Sequence, residues 1–316
     1  MEKVIILLGP TGVGKTALSL LLARELETEI ISSDSMQIYR GMDIGTAKPS
    51  PAEQERVRHH MIDIVDPWET YSAGAYISDV VPVLERILSE GRTPLIVGGT
   101  GLYIKAMTRG IFHGPSADWE LRDSLMKKEE EEPGILYGML QEKDPAAASR
   151  IMPADLRRVV RALEVCLTGE KTITDFHQSH TEPLPYEFIK IGISRERQEL
   201  YRMIDARVDE MLRQDLVEEV RNLLGLIRNE GGDPPVATLP AFQAIGYKEL
   251  LSHLSDKTPL EEAADLIRQR SRNYAKRQFT WFRKEEGIHW VDATGIYDPS
   301  EIFRKVMPLL QNQDQR

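Results

Sequence analysis

The chain has 316 residues, 41% of them hydrophobic and 28% charged, an ordinary globular balance that excludes a disordered or collagen-like polymer. The net charge of −10 argues, on the mean, against binding a polyanion. A single cysteine, Cys166, excludes an internal disulfide and any cysteine-cluster zinc site.

The chain opens on an apolar run, Val4–Leu8, expected as a short buried strand. No basic n-region or cleavage site precedes it, and no stretch approaches the about 20 apolar residues of a membrane span, so a cytoplasmic protein with no membrane partner is expected. Directly behind the run stands Gly9-Pro10-Thr11-Gly12-Val13-Gly14-Lys15-Thr16, and Lys15 to Leu26 is expected as a helix. The octet fits a phosphate-binding loop in the context such a loop requires, after a strand and opening a helix. Its glycines let backbone N–H groups turn toward phosphate oxygens, and the helix N-terminus adds partial positive charge. Lys15 reaches terminal phosphates, and the Thr16 hydroxyl is the candidate Mg²⁺ ligand.

A second strand, Glu29–Asp34, ends on an acid. Helical spacing follows over Ser78–Ser89, then a strand over Pro94–Val97 that runs into Gly98-Gly99-Thr100-Gly101. Strands alternating with helices imply an α/β fold with a parallel sheet flanked by helices, and ligands then bind at the carboxyl edge of that sheet. After about Phe112 no strand-like run occurs until "FIKIGIS", Phe188–Ser194, so an all-helical insertion is expected. The division reads as residues 1–112, the first part of a core; 113–186, the insertion; and 187–316, the rest of the core with C-terminal helices. Long helices are expected over Arg195–Gly225 and Pro259–Phe282, with a last strand over Ile288–Ala293.

Phosphoryl transfer usually uses an acid at the end of an apolar strand to help hold Mg²⁺. The strand Leu95–Val97 ends on glycines instead, and the acid at a strand end beside the loop is Asp34. Two explanations compete. Asp34 is the base of a small-molecule kinase, or the loop holds a diphosphate that leaves as a unit while Asp34 activates another nucleophile. For the acceptor, Arg268–Lys284 carries seven basic residues and no acid, interleaved with Tyr274, Phe279, Trp281 and Phe282. Cations for phosphates and rings for unpaired bases suit RNA. An amphipathic helix with its rings in the core explains the same pattern equally well. "DLRRVVRALEV", Asp155–Val165, is a second cationic helix.

The stretches "GPTGVGKT", "DSMQIYRGMDIGTAKP", "HHMIDI", "VGGTGLYIKA", "DLRRVVRALEV", "QAIGYKE" and "NYAKRQFTWFR" resemble, in order and across residues 9–283, the bacterial tRNA dimethylallyltransferases. The resemblance implies a P-loop nucleotide-kinase-like core with a helical insertion domain. It implies transfer of a dimethylallyl group from dimethylallyl diphosphate to N6 of the tRNA adenosine next to the anticodon on its 3′ side. Diphosphate is the leaving group, Mg²⁺ the cofactor, tRNA the partner and a monomer the expected state. Carried over residue by residue, it assigns catalysis to Lys15, Thr16, Asp34 and Arg207. It gives the diphosphate to Gly9, Pro10, Thr11, Gly12, Val13, Gly14, Lys15 and Thr16. Contacts to tRNA fall on Asp34, Ser35, Met36, Gln37, Thr100, Arg157, Arg158, Arg161, Gln243, Gly246 and Tyr247. Read from spacing alone, Arg207 also suits a surface ion pair with Asp205 or Glu210. A free-adenylate isopentenyltransferase, a small-molecule kinase and a non-catalytic nucleotide switch stay as alternatives.

Overall fold

The computed structural model describes residues 1–111, 114–115, 117–169, 171–179, 181–232 and 234–311. The chain forms two compact units, Met1–Ile104 with Pro185–Arg316, and Lys105–Leu184. The expected start of the insertion, residues 112 and 113, lies outside the described residues.

In chain order the first unit begins with β1 (Lys3–Leu8), α1 (Lys15–Glu25), β2 (Ile30–Ser33), α2 (Pro51–Arg56), β3 (His59–His60), α3 (Ala73–Ser89) and β4 (Leu95–Gly98), after which α4 (Gly101–Arg109) carries the chain into the second unit. The second unit holds α5 (Trp119–Glu131), α6 (Ile135–Lys143), α7 (Pro145–Ala148), α8 (Leu156–Thr168) and α9 (Ile173–Ser179). The chain returns through β5 (Glu187–Ser194), α10 (Arg197–Arg213), α11 (Leu216–Glu230), two 3-10 turns at Val236–Thr238 and Ala241–Gln243, α12 (Tyr247–Leu254), α13 (Leu260–Phe282), β6 (Ile288–Asp292) and α14 (Pro299–Gln311).

The six strands make one parallel sheet in the order β3-β2-β4-β1-β5-β6. Buried on both faces, β1 and β4 read as near-continuous apolar runs, while β2 buries Ser32 and Ser33 after Ile30 and Ile31. Register decides what the carboxyl edge presents. Leu8 pairs with Gly98 and Ser33 pairs with Gly98, so the residues that follow β1, β2 and β4 emerge side by side. Those residues are the glycine loop, Asp34 and the Gly99–Gly101 turn. The ligand crevice of an open parallel sheet lies at this edge.

Local chemistry sets the helix ends. Ser72 caps α3 by accepting from Ala75 N at 3.1 Å, an interaction worth about 1 kcal/mol. The expected helix Arg195–Gly225 is two, broken at Asp215, which takes a left-handed φ of 65°. One core packs α1, α14 and the start of α10 on the sheet around Leu7, Leu18, Ile191 and Ile204. A second joins α10–α13 around Phe242, Tyr247, Val220 and Ile267.

The second unit has its own core, Leu125, Leu136, Leu140, Val159 and Leu163 among it. Fully buried Glu164 organises one side of it. Burial opposes its charge, but Arg122 (2.9 and 2.8 Å), Arg161 (2.5 Å) and Asp118 N (2.7 Å) all donate to its carboxylate and hold its pKa below the ordinary value.

Candidate active site

The loop between β1 and α1 turns because three of its residues have no side chain. Gly12 and Gly14 take φ of 78° and 105°, and Gly14 caps α1 in the left-handed region. Val13 anchors the loop in the core. Buried Arg195 braces it from behind: Nε donates to Val13 O at 3.2 Å, while its Nη atoms hold Glu199 (2.5 Å), Ala293 O (2.6 Å) and Ile296 O (2.6 Å). Lys15 folds back over the loop, its Nζ donating to Gly9 O and Pro10 O, both at 2.9 Å. Enclosure lowers its pKa to about 8. Asp34 pushes that value up and Arg207 pushes it down further. Lys15 still lines an open pocket, so this is the effect of protein walls around a cleft rather than of complete burial.

Asp34 leaves β2 and begins a turn. Its Oδ1 accepts from Met36 N at 2.9 Å and Gln37 N at 3.4 Å. Thr100 ties this turn to the neighbouring strand end: its N–H donates to Ser33 O at 3.1 Å and its hydroxyl oxygen accepts from Ser35 N at 3.0 Å. Gln37 accepts from Ser32 Oγ (3.0 Å) and donates to Thr46 O (3.3 Å) and Ala47 O (3.2 Å). The turn can sit this close to β4 because β4 ends on glycine. A Cβ at Gly98 would lie 2.2 Å from Ser33 O, and one at Gly99 would lie 2.3 Å from Gln278 Nε2.

Arg207 points into the cleft, with Nη1 on Thr11 Oγ1 at 3.3 Å. Enclosure lowers its pKa and Asp34 opposes that; a guanidinium remains charged regardless. The surface ion pair open to it by spacing does not form, since Asp205 binds Arg272 (2.5 Å) and Glu210 pairs with Arg213. Sequence reasoning misses Gln278 beside it and names Tyr274 only as a ring for unpaired bases. Gln278 bridges the loop and the β4 turn, accepting from Thr11 N at 2.8 Å and donating to Gly99 O at 2.9 Å. Its removal would leave two enclosed backbone groups unsatisfied, at about 1–3 kcal/mol each. Tyr274 lines the cleft one turn earlier on α13. Ile267, Ser271, Tyr274 and Gln278 form one helical stripe, so a polar continuation of an apolar face is the available signal.

A second recess opens beside the cradle. Its floor is apolar, with Ile204, Val208, Met211, Leu216, Ile245 and Ile267. Its rim carries Ser35, Met36, Gln243, Gly246 and Arg277. The cradle and the recess share Thr11, Asp34, Thr46, Arg207 and Tyr274. Gln243 is exposed and donates to Ala237 O at 2.6 Å. Tyr247 is fully buried, with its hydroxyl on Glu219 at 2.5 Å, so its ring offers no surface to a ligand in this conformation. Arg157 and Arg158 are exposed on α8 of the second unit, whereas Arg161 is tied to Glu164 and Pro115 O (3.0 Å).

The basic stretch on α13 divides. Arg268, Arg270 and Arg272 pair with Asp209, Glu249 and Asp205. Lys276, Arg277, Arg283 and Lys284 are exposed. Three of the four rings pack, since Phe282 is buried, Trp281 lies against Gly101 and Phe279 meets Trp290 at 5.5 Å, whereas Tyr274 lines the cleft. Of the two explanations of that pattern, the amphipathic helix accounts for the three packed rings. Among the described residues no group of three or more His, Cys, Asp or Glu side chains gathers to hold a metal ion, and no helix is long and apolar enough to cross a membrane.

By its parallel sheet and the cradle at the carboxyl edge, this is a P-loop protein with room for two ligands side by side. Comparison narrows the class. The profile of the IPP transferase family matches residues 37–285. A tRNA dimethylallyltransferase of Thermodesulfovibrio yellowstonii is 56% identical over 309 residues, covering 98% of each chain. One of Thermotoga maritima is 43% identical, again over 98% of each. Among solved structures, the tRNA isopentenylpyrophosphate transferase of Bacillus halodurans is 38% identical, with TM-score 0.71 over 100% of this chain and 99% of that one. A eukaryotic dimethylallyltransferase acting on tRNA is 31% identical, with TM-score 0.78 over 93% of this chain and 74% of that one. The chain belongs to the IPP transferase family.

Proposed function

We propose that the protein transfers a dimethylallyl group from dimethylallyl diphosphate to N6 of the adenosine on the 3′ side of the anticodon in tRNA. The observation that carries this reading is the position of Asp34. It stands on the wall shared by an anion cradle and a larger, apolar-floored recess, with Arg207 beside it. A donor on one side and a base on the other meet at one carboxylate.

In this reading the loop N–H groups, Lys15 and Arg207 bind the diphosphate. The allylic C–O bond breaks, its electron pair passes to the diphosphate oxygen, and the charge growing there is stabilised by those donors. The N6 lone pair forms the new C–N bond, and the N6 proton goes to Asp34. Because Oδ1 is engaged by Met36 N and Gln37 N, that proton falls to Oδ2. Thr16, which lines the cradle, would hold Mg²⁺ through its hydroxyl, with diphosphate oxygens and retained waters as the other ligands. When bound it would neutralise leaving-group charge.

The test is incubation of the protein with dimethylallyl diphosphate, Mg²⁺ and unmodified tRNA, followed by mass analysis of the nucleosides. Prenylated adenosine should form without ATP, and added ATP should inhibit competitively against dimethylallyl diphosphate. Product on free AMP but not on tRNA would make the acceptor a nucleotide. ADP release at the rate of turnover would make the protein a kinase.

A further inference from the structure

Residues 42–48 form part of the wall between cradle and recess, yet contain no helix or strand. Gly45 and Thr46 face the recess, and Thr46 and Ala47 face the cradle. One carboxylate gathers three of its N–H groups. Asp43 N and Ile44 N donate to Glu219 Oε2 at 3.0 and 2.6 Å, and Gly45 N donates to Oε1 at 3.1 Å. The Tyr247 hydroxyl donates to the same Oε1 at 2.5 Å. An ionised carboxylate offers about four acceptor sites, so four donors fill it. Enclosure and the adjacent carboxylate push the Tyr247 pKa far up, which keeps the phenol a donor. The Tyr247 ring also sets how closely the segment approaches, since a Cβ on Gly45 would come within 2.5 Å of it.

From there the bonds lead to the reacting acid. Thr46 O and Ala47 O accept from Gln37 Nε2, and Gln37 N donates to Asp34 Oδ1. Lys48 anchors the far end through Asp43 and Asp63, both at 2.5 Å, and Tyr39 O at 3.0 Å.

We propose that Glu219, braced by Tyr247, is a positioning residue for the transfer: by gathering the N–H groups of residues 43–45 it sets the wall that holds the acceptor base beside Asp34. The inference rests on the prenyl-transfer reading of the site. Glu219 lines neither the cradle nor the recess and acts through the backbone it holds; of the three segment residues it binds, Gly45 lines the recess and none lines the cradle, so its loss should fall mainly on the acceptor.

The experiment uses the full chain. Wild-type protein is first shown to form prenylated adenosine; a failure at that step would count against the reading of the site, not against Glu219. Then kcat and KM are measured for tRNA at saturating dimethylallyl diphosphate, with Kd for dimethylallyl diphosphate by calorimetry and Tm, in Glu219→Gln and Tyr247→Phe. Glutamine keeps the size but replaces an acceptor oxygen with an N–H₂ donor facing the segment. Glu219→Gln should lose about 10–100-fold in kcat/KM for tRNA, the scale of an ångström-sized misplacement, with donor Kd within about twofold of wild type. Tyr247→Phe should lose less in the same parameter, with the same split. Unchanged kcat/KM for tRNA, or a loss matched by equal weakening of donor binding, would overturn the proposal. Should Glu219→Gln fail to fold, Tyr247→Phe decides by the same criterion.

Discussion

In the cradle, eight consecutive residues fixed by one strand and one helix end make the phosphate loop and supply Lys15, and Asp34, Arg207, Tyr274 and Gln278 reach it from elsewhere in the chain. In the recess beside it, the lining comes from six separated stretches, around residues 11, 34–36, 45–46, 204–216, 243–246 and 267–277. The cradle therefore depends on backbone conformation and tolerates few changes in the loop itself. The recess depends on side chains held by other side chains, so it can be disturbed from a distance while the cradle stays intact. Donor and acceptor affinities should accordingly be separable by mutation, and the following outcomes test that separation.

The largest effect belongs to the shared wall. Asp34→Asn keeps the oxygen that Met36 and Gln37 bind, so the turn should survive. Turnover should fall by about 10²–10⁴-fold, the worth of a positioned base, with both ligands still bound. A near wild-type single-turnover rate would remove Asp34 from the chemistry.

Lys15→Ala deletes a charged donor of the cradle. Dimethylallyl diphosphate should bind about 10–100-fold more weakly, as expected for a hydrogen bond to a charged group, while tRNA affinity in a filter-binding assay stays within about twofold. Equal loss of both ligands would mean the cradle carries RNA as well.

The cations of α8 sharpen the comparison on the acceptor side. Changing Arg157, Arg158 and Arg161 together to Ala should weaken tRNA binding and flatten the log K against log salt slope by about 0.7–0.9 for each phosphate no longer neutralised. Most of that change should come from exposed Arg157 and Arg158. Arg161→Ala alone should lower Tm instead, because it takes one partner from the buried Glu164 carboxylate.

The smallest effect is a pH dependence confined to the cradle. Lys15 loses its proton near pH 8 in the free protein, and a diphosphate favours the protonated form. Above that pH, binding must take up a proton, so donor affinity should fall by up to about tenfold per pH unit. Calorimetry across this range should show the fall in wild type and none in Lys15→Ala. The contribution of Lys15 to folding runs the other way: its folded value lies below the ordinary 10.5, so its penalty is full below about pH 8 and fades as pH rises toward 10.5.

The same contrast governs how far the sequence can be read. Strands β1 and β4 are largely apolar runs, and β2, β5 and β6 carry apolar residues among polar ones; all five are visible as strands. Strand β3 is only His59–His60, an edge pair with no run to see. Helix α14 carries Pro308 in its last turn, which hides it from a reading by helix breakers. The octet at residues 9–16 is legible because the chemistry is local. Gln278 and Arg195 act on the loop from 180 or more positions away, and nothing in their neighbours announces it. Glu219 lies in a helix of ordinary amphipathic pattern, where an acid reads as solvated surface.

The close packing at Gly98 and Gly99 closes a mutational route. Phosphoryl-transferring proteins of this architecture use an acid near the end of a strand beside the loop to help seat their metal. Here even a methyl group at Gly98 would drive into the Ser33 backbone, and one at Gly99 would strike the Gln278 amide. No single substitution at either position can install that acid without prising β4 from β2 or unseating Gln278 from Thr11. Steric exclusion at these two positions therefore keeps the end of β4 free of an acid, whatever group leaves from the cradle.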